Sequence, residues 1–488
     1  MAEYVQIRGE IGRSLSDRLY ELGVEYPCGG SAACGGCRVR LISGEIPITE
    51  GMREGLSDGE LRDGWRLACM ADCAGPVTLD IEQWSARILT DESRVPVEPA
   101  EGFGAAIDLG TTTIVVELVD LKTGDVLGVH AGVNPQGRHG SNVMSRIECE
   151  LREPGLLTSL IRHSLGAMIE QVAGGRTLRE VLICGNTVMH HFFRGLDVEP
   201  LSHVPFASPA LGEQVLAGRD LGWSGVEKAT FLPCIGGFVG SDLLAGLIAC
   251  GMHESKEVMA LLDLGTNGEI AIGNRDGILC ASTAAGPAFE GGRIRMGMRA
   301  GDGAIDKVER VNGEMVCHVI GGGRPVGLCG SGLVDAIASW LDGGAILPSG
   351  RIASGDKLLH LLGPVSLSQA DVRELQLAKG ATAAGLDLLR RRMQLKPEEI
   401  ASIHLAGAFG NYVRIGSARR IGLLPDWAAT VHPIGNSALR GTRSLLLSPT
   451  RRGRLLADLL SRTRHIDLAS DSSFQESFVE NMSFPAAT

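Results

Sequence analysis

An internal repeat constrains this chain more than any other feature. Ala105-Ala-Ile-Asp-Leu-Gly-Thr-Thr-Thr113 leads into Ile114-Val-Val-Glu-Leu-Val119, then Lys122-Thr-Gly-Asp125 and Val126-Leu-Gly128. Asp263 lies 155 positions after Asp108, and its surroundings repeat the pattern. Leu261-Leu-Asp-Leu-Gly-Thr-Asn267 leads into Gly268-Glu-Ile-Ala-Ile-Gly273, then Asn274-Arg-Asp-Gly277 and Ile278-Leu279. Each copy reads as a strand, a sharp Asp-Leu-Gly-Thr turn, a second strand, a hairpin and a third strand. One acidic turn after a strand is common. Two in the same context, about one subdomain apart, require a duplicated α/β unit, and from Phe103 onward apolar strands alternate with helical segments as such a unit demands.

The residue types in the two turns suit phosphate. Gly110 and Gly265 let backbone approach an anion, while Thr111, Thr112, Thr113, Thr266 and Asn267 supply hydrogen-bond donors. Asp108 and Asp263 stand at strand ends, where they can hold Mg2+ through its waters. This layout resembles the paired phosphate loops of the actin, sugar-kinase and Hsp70 (ASKHA) ATPases, which implies ATP in a cleft between two similar halves. In that setting Ile403-His-Leu-Ala-Gly-Ala-Phe-Gly410 is expected to end a strand at the adenosine, with Gly407, Ala408 and Gly410 forming the turn. Gly327-Leu-Cys-Gly-Ser-Gly332 precedes an apolar helix, Leu333 to Leu341, and reads either as an anion-facing helix start or as a plain glycine-rich connection. Val181 to Asn186 is expected to be a strand running into a helix, Thr187 to Phe193. His190 and His191 on that helix are expected to pack or cap, because no further His or Cys pair shares their spacing. No Gly-x4-Gly-Lys-Ser/Thr loop, convincing Gly-x-Gly-x-x-Gly or Gly-x-Ser-x-Gly elbow occurs, so ATP binding rests on the duplicated turns.

The first 85 residues carry a different chemistry. Cys28-Gly-Gly-Ser-Ala-Ala-Cys34-Gly-Gly-Cys37 is followed by Arg66-Leu-Ala-Cys69. Three thiolates on a glycine-rich loop and a distant fourth are the ligand pattern of a 2Fe–2S ferredoxin, here with five residues in the first gap, one more than the plant-type spacing. Small residues let the backbone wrap closely and aim N–H groups at anionic sulfur. A four-cysteine zinc ribbon through Cys34, Cys37, Cys69 and Cys73 is the alternative, but it leaves Cys28 unused and the small residues unexplained. Tyr4 to Arg8 reads as a strand, Ser14 to Leu22 as a short helix capped by Ser14, and Arg38 to Gly44 as a strand entering a turn, the makings of a β-grasp ferredoxin-like domain.

The expected organisation is therefore an α/β multidomain chain: a 2Fe–2S ferredoxin-like domain at 1–85, a linker at 86–102, and ATPase subdomains at 103–255 and 256–488. A length of 488 residues suits several folding units. The net charge of −11 argues against a nucleic-acid partner. Residues 1–85 hold eight arginines, no lysine and fourteen acidic residues, an acidic face suited either to docking a basic electron-transfer partner or to simple solvation. Phe231 to Met252 is apolar but carries Asp242 mid-way after Pro233, Gly236, Gly237 and Gly240, so a buried strand–loop–helix is expected and no membrane span. Met1-Ala-Glu-Tyr4 shows no leader pattern, and cysteines such as Cys184, Cys250 and Cys280 sit in apolar runs that suggest packing. A cytoplasmic, reducing location is the expectation.

A 2Fe–2S domain ahead of an actin-like ATPase resembles the reductive activators of corrinoid proteins. Further motifs carry the resemblance: Asn134-Pro-Gln136, Ser145-Arg-Ile147, Gly185-Asn-Thr-Val-Met-His190, Pro233 to Gly240 and Ala284-Ala-Gly-Pro-Ala-Phe-Glu-Gly291. So do Asp371 to Gly380, Pro433-Ile-Gly-Asn-Ser-Ala438 and the closing Phe484-Pro485. The resemblance implies transfer of one electron, driven by ATP, from a cluster on Cys28, Cys34, Cys37 and Cys69 to an inactive cobalt(II) corrinoid protein. It also implies a low-potential electron donor, and leaves open whether the chain forms a homodimer. Two departures stand out: Asn142 occupies a position where members often have Asp, and the linker is short where some members carry an extra domain. Three rivals remain at this stage. They are an ATP-driven donor to another low-potential enzyme, a small-molecule kinase with a vestigial ferredoxin, and a non-catalytic ATP-gated scaffold.

Overall fold

The structure is a computed structural model that describes residues 4–7, 14–24, 26, 30, 35–81, 95–140, 142–265 and 267–486. Cys28, Cys34 and Thr266, together with much of the expected linker, lie outside the described residues.

The N-terminal sheet comprises β1 (Tyr4–Ile7), β2 (Arg38–Ser43), β3 (Trp65–Leu67) and β4 (Val77–Asp80), in the order β1-β4-β2-β3 with every described pairing antiparallel. Alternation does the local work: Val77 and Leu79 are buried while Thr78 and Asp80 face outward. Helix Leu15–Glu21 begins where Ser14 accepts the Asp17 N–H at 3.0 Å. Its Leu15 and Leu19 join Ile7, Val24, Val39, Leu67 and Leu79 in a small apolar core. The turn after β2 needs glycine, because Gly44 has φ 92° and an added Cβ would stand 2.5 Å from the Pro76 carbonyl.

The repeat builds two six-stranded sheets. The first contains β5 (Phe103–Leu109), β6 (Thr113–Asp120), β7 (Val126–Val133), β8 (Leu178–Gly185), β9 (Gln214–Ala217) and β10 (Val226–Phe231), in the order β7-β6-β5-β8-β10-β9. The second starts with β11 (Val258–Leu264), β12 (Gly268–Asn274) and β13 (Gly277–Thr283). Two accessory sheets intervene, formed by β14 (Ala304–Val311), β15 (Glu314–Val319) and β16 (Gly327–Leu328), and by β17 (Leu358–Leu362) and β18 (Val365–Ser368). Then β19 (Ile400–Ala406), β20 (Thr430–Gly435) and β21 (Thr463–His465) complete the order β20-β19-β11-β12-β13-β21. Five strands of the two sheets correspond: an antiparallel three-strand meander whose first strand pairs in parallel with a later one, β5 with β8 and β11 with β19, followed by β10 and β20, while β9 and β21 are added at opposite ends. The duplication read from sequence is thus a duplication of topology.

A pair of helices joins the halves. Ser241–Ala249 follows β10, and Ser437–Leu446 follows β20 at the equivalent place. They cross closely, since a Cβ on Gly441 would lie 2.0 Å from the Ala245 carbonyl and one on Gly246 3.0 Å from the Ser437 hydroxyl. Around them one apolar cluster draws on both sheets, including Ala106, Leu182, Leu244, Leu261, Ala271, Ala406 and Leu445. Arg443 from the second helix reaches Glu117 on β6 at 3.0 Å, with both side chains about 1 % exposed. Phe231–Met252 forms a strand end, a loop and this buried helix, and among the described residues no helix is long and apolar enough to cross a membrane.

Two sequence motifs explain each other. Gln376 and Lys379 on helix Gln369–Arg392 donate to the carbonyls of Met482 and Ser483 at 2.7 and 2.5 Å, and the Phe484 ring, 2 % exposed, lies beneath the Lys379 ammonium. The helix expected at Leu333 instead begins at Gly330 and runs to Asp342. Its glycines are needed for contact, because Cβ atoms at Gly330 and Gly332 would stand 1.9 and 2.1 Å from the Phe289 and Ile305 carbonyls.

Candidate functional site

The first Asp-Leu-Gly-Thr turn is a tight hairpin in which the Gly110 N–H donates to the Thr113 carbonyl at 3.0 Å. An added Cβ on Gly110 would lie 2.6 Å from that oxygen, so the turn requires glycine. Neighbouring amides hold it. Asn134, fully buried, donates its side-chain Nδ2 to the Gly110 carbonyl at 2.9 Å and its backbone N–H to the Thr112 carbonyl at 2.8 Å. Asn186 donates to the Thr111 hydroxyl at 2.8 Å while its Oδ1 caps helix Thr187–Arg194. Arg299, from the far side of the cleft, donates to the Thr113 hydroxyl at 2.9 Å.

The second turn repeats the hairpin, with Gly265 N–H facing the Asn267 carbonyl at 3.3 Å. Asp263 is paired in register with Ala406 on β19, so Gly407, with φ 83°, sits beside it: an added Cβ there would meet the Asp263 carboxylate at 3.0 Å. Helix Gly407–Tyr412 begins directly at this glycine, leaving Ala408 exposed and Gly410 buried against Leu405.

The equivalent helices after β10 and β20 send a residue each towards the strand-end carboxylates. Asn436 donates to the Asp108 carboxylate at 2.8 Å, and Asp242 acts by its charge on Asp263. Asp108, Asp242 and Asp263 are half-buried and carry raised pKa values of about 6, 7 and 7. Desolvation is the main cause in each case; for Asp263 the charges of Asp108, Asp242 and Glu290 add to it, whereas Asn436 opposes it at Asp108. Glu269, on β12, is pushed up strongly by burial and by the charges of Asp242 and Asp263. No three His, Cys, Asp or Glu side chains among the described residues converge closely enough to chelate a metal directly. These carboxylates lie close enough to act on one another by charge, and such a set can hold a divalent cation through its waters.

In the N-terminal domain Cys37 is buried and its sulfur accepts the Cys69 N–H at 3.5 Å, while the Ala68 N–H reaches the Cys37 carbonyl at 2.7 Å. These two expected ligands therefore meet, and a backbone N–H aimed at sulfur is what an anionic thiolate needs. Gly30 and Gly35 have φ 83° and 62°, and Gly30 passes within 3.9 Å of the Cys69 Cβ, measured from the position its own Cβ would take. The Tyr26 hydroxyl is pushed upward by burial and by the charges of Cys37 and Cys69. This pocket fits a cluster on its described side.

The structure brings the two turns at Asp108–Thr113 and Asp263–Asn267 towards each other, with Gly407 beside the second, and adds Asn134, Asn186, Asp242, Glu269, Arg299 and Asn436, to which sequence reasoning assigned no role. A signal existed for some of them: after β8, β10 and β20 an amide or acid (Asn186, Asp242 or Asn436) stands at the start of the next helix. His190 and His191 pack as expected. His191 is bonded to the Thr187 carbonyl at 2.7 Å and the Ser208 hydroxyl at 2.7 Å, and both rings are fully buried. Asn142 caps helix Val143–Arg152 by accepting the Ser145 N–H at 2.9 Å, a task Asp performs equally well.

Comparison with known proteins agrees with this geometry. Residues 3–73 match the 2Fe-2S iron-sulfur cluster binding domain, residues 103–255 the RACo middle region, and residues 257–488 the C-terminal domain of RACo, the ASKHA domain. The chain is 37% identical over 420 residues to the corrinoid activation enzyme RamQ of Eubacterium limosum, covering 78% of this chain and 70% of that protein. It is 27% identical over 434 residues to the [Co(II) methylated amine-specific corrinoid protein] reductase of Methanosarcina barkeri, covering 78% and 77%. A solved reductive activator for corrinoid, iron-sulfur protein superposes with a TM-score of 0.71 at 25% identity, covering 98% of this chain and 97% of that one. A ferredoxin-like domain, two phosphate-loop lobes and these likenesses together make the chain a member of the RACo family of corrinoid activation proteins.

Proposed function

We propose that this protein is an ATP-dependent reductive activator that returns the cobalt(II) form of a corrinoid protein to cobalt(I). The observation that carries the reading is that the carboxylate-lined cleft and the cysteine pocket belong to one packed assembly. Tyr20 of the N-terminal domain donates its hydroxyl to the carbonyl of Asn134, the residue that holds the first phosphate loop, at 2.7 Å. Bound at these sites, a 2Fe–2S cluster supplies one-electron transfer and ATP supplies free energy through binding and hydrolysis.

The roles assigned to the chain's own residues are as follows. Cys28, Cys34, Cys37 and Cys69 hold the cluster, supported by the meeting of Cys37 and Cys69. Gly110 to Thr113 and Gly265 to Asn267 bind phosphates, and Gly407 and Ala408 border the adenosine, with Gly410 fixing the turn beneath them. Asp108 and Asp263, with Asp242, attract and orient Mg2+ through its waters. Cobalt(I) lies at very low potential, and each tenfold unfavourable equilibrium corresponds to about 59 mV for one electron. Nucleotide helps only by favouring a different conformation of the complex, and a two-lobed hinge offers one. The sequence-level division at 85, 102 and 255, a cytoplasmic location and a separate low-potential donor belong to the same proposal.

The test uses full-length protein reconstituted anaerobically with iron and sulfide, a cobalt(II) corrinoid protein and a chemical reductant. Cobalt(I) absorbance is expected only with Mg–ATP, and Asp263→Ala is expected to abolish that dependence. Protein with no 2Fe–2S spectrum, or none with affinity for adenine nucleotide, refutes the proposal. Retained ATP-stimulated reduction in Asp263→Ala refutes the role of the second loop.

A further inference from the structure

Arg299 stands out because it crosses between lobes at the phosphate loop. Its backbone is anchored in the second lobe: Met298 N–H donates to the Leu328 carbonyl at 3.0 Å, and Met296 and Met298 are buried. Its guanidinium nevertheless reaches Thr113 on β6 of the first lobe. Four residues earlier, Arg295 lies 3.7 Å from Glu60 of the N-terminal domain, and its backbone N–H donates to Asp371 at 2.6 Å. Glu60 in turn pairs with Arg38, the residue following Cys37, at 2.9 Å. One short segment thus touches the phosphate loop at one end and the iron–sulfur domain at the other.

We propose that Arg299 binds the terminal phosphate of ATP from the opposite lobe, and that its segment carries nucleotide occupancy to the iron–sulfur domain through Arg295 and Glu60. The inference rests on the ATPase reading above. A phosphate group offers a guanidinium two parallel charge-assisted hydrogen bonds, stronger than the bond to the Thr113 hydroxyl, so a phosphate arriving beside Thr113 draws Arg299 to itself. The surrounding carboxylates otherwise make the cleft strongly negative, and a guanidinium at the loop offsets that repulsion where the triphosphate ends. ADP, one phosphate shorter, leaves Arg299 on Thr113.

The experiment measures calorimetric affinities of full-length, cluster-loaded protein for Mg–AMPPNP and Mg–ADP. In the unmodified protein AMPPNP is expected to bind more tightly than ADP. Arg299→Ala is expected to lower the AMPPNP-to-ADP affinity ratio about tenfold or more while ADP affinity stays within about twofold, and Arg299→Lys to restore part of the ratio. A ratio unchanged in Arg299→Ala, or equal weakening of both nucleotides, overturns the assignment. Unmodified protein that binds neither nucleotide overturns the ATPase reading and this inference together. For the second half, AMPPNP is expected to change amide exchange of Asp58–Arg62 in the unmodified protein and not in Arg299→Ala. Identical exchange with and without nucleotide overturns the route through Arg295.

Discussion

Asp263 is held where its own charge is disfavoured: burial and the carboxylates of Asp108, Asp242 and Glu290 raise its pKa to about 7. An acid whose folded pKa lies above its unfolded value contributes stability below the ordinary carboxylate range and loses it as pH rises through the folded value. Without Mg2+, Asp263→Asn should therefore be more stable than the parent at pH ~8, with the advantage shrinking as pH falls below ~7 and vanishing only near pH ~3.5, where the acid is protonated in the unfolded chain as well. Thermal midpoints at both pH values check this, and a parent that is the more stable at high pH contradicts it. Adding Mg2+ should stabilise the parent at high pH and leave Asp263→Asn less affected, since a cation requires the ionised acid. The difference between the two proteins is the useful quantity, because buried imidazoles such as His190 and His404, both lowered to about 4, titrate in the opposite sense.

At the scale of elements, the two connecting helices decide whether the lobes share one hinge. Their contact depends on absent side chains. Gly441→Ala places a methyl about where the Ala245 carbonyl stands, and such overpacking typically costs about 1–3 kcal/mol. Gly453, in the next helix Pro449–Arg462, is exposed with open space around it, so Gly453→Ala should stabilise by about 0.5–1 kcal/mol through helix propensity. Denaturant midpoints of the two variants should move in opposite directions. Equal effects would mean that the crossing helices are not tightly packed. Arg443 of the helix Ser437–Leu446 makes a buried pair with Glu117 on β6, which begins at Thr113 of the first turn, so this contact supports that turn as well as the fold.

At the scale of the whole molecule, the iron–sulfur domain rests on both lobes. Tyr20 meets Asn134, Asp17 pairs with Arg138, and Val133 packs on the domain's apolar core, while Glu60 faces Arg295 across the other lobe. Tyr20→Phe keeps the ring beside Tyr26 but removes its bond to Asn134, a loss of about 1 kcal/mol. Faster amide exchange in helix Leu15–Glu21 is expected, with the visible spectrum of the cluster unchanged. An unaltered exchange rate would show that the domain docks by other contacts.

What the sequence determined by itself is local and repeated. Strand–turn–strand patterns at Asp108 and Asp263, cysteine spacing from Cys28 to Cys69, and caps such as Ser14 were legible because backbone geometry and ligand chemistry impose them over a few neighbouring residues. Tertiary structure decided what faces what. Asn436 reaches Asp108 from 328 residues away, and Arg299 reaches Thr113 from 186. No local pattern encodes such meetings. They follow from two like sheets joined by crossed helices, which bring the ends of equivalent strands together and desolvate the carboxylates that stand there.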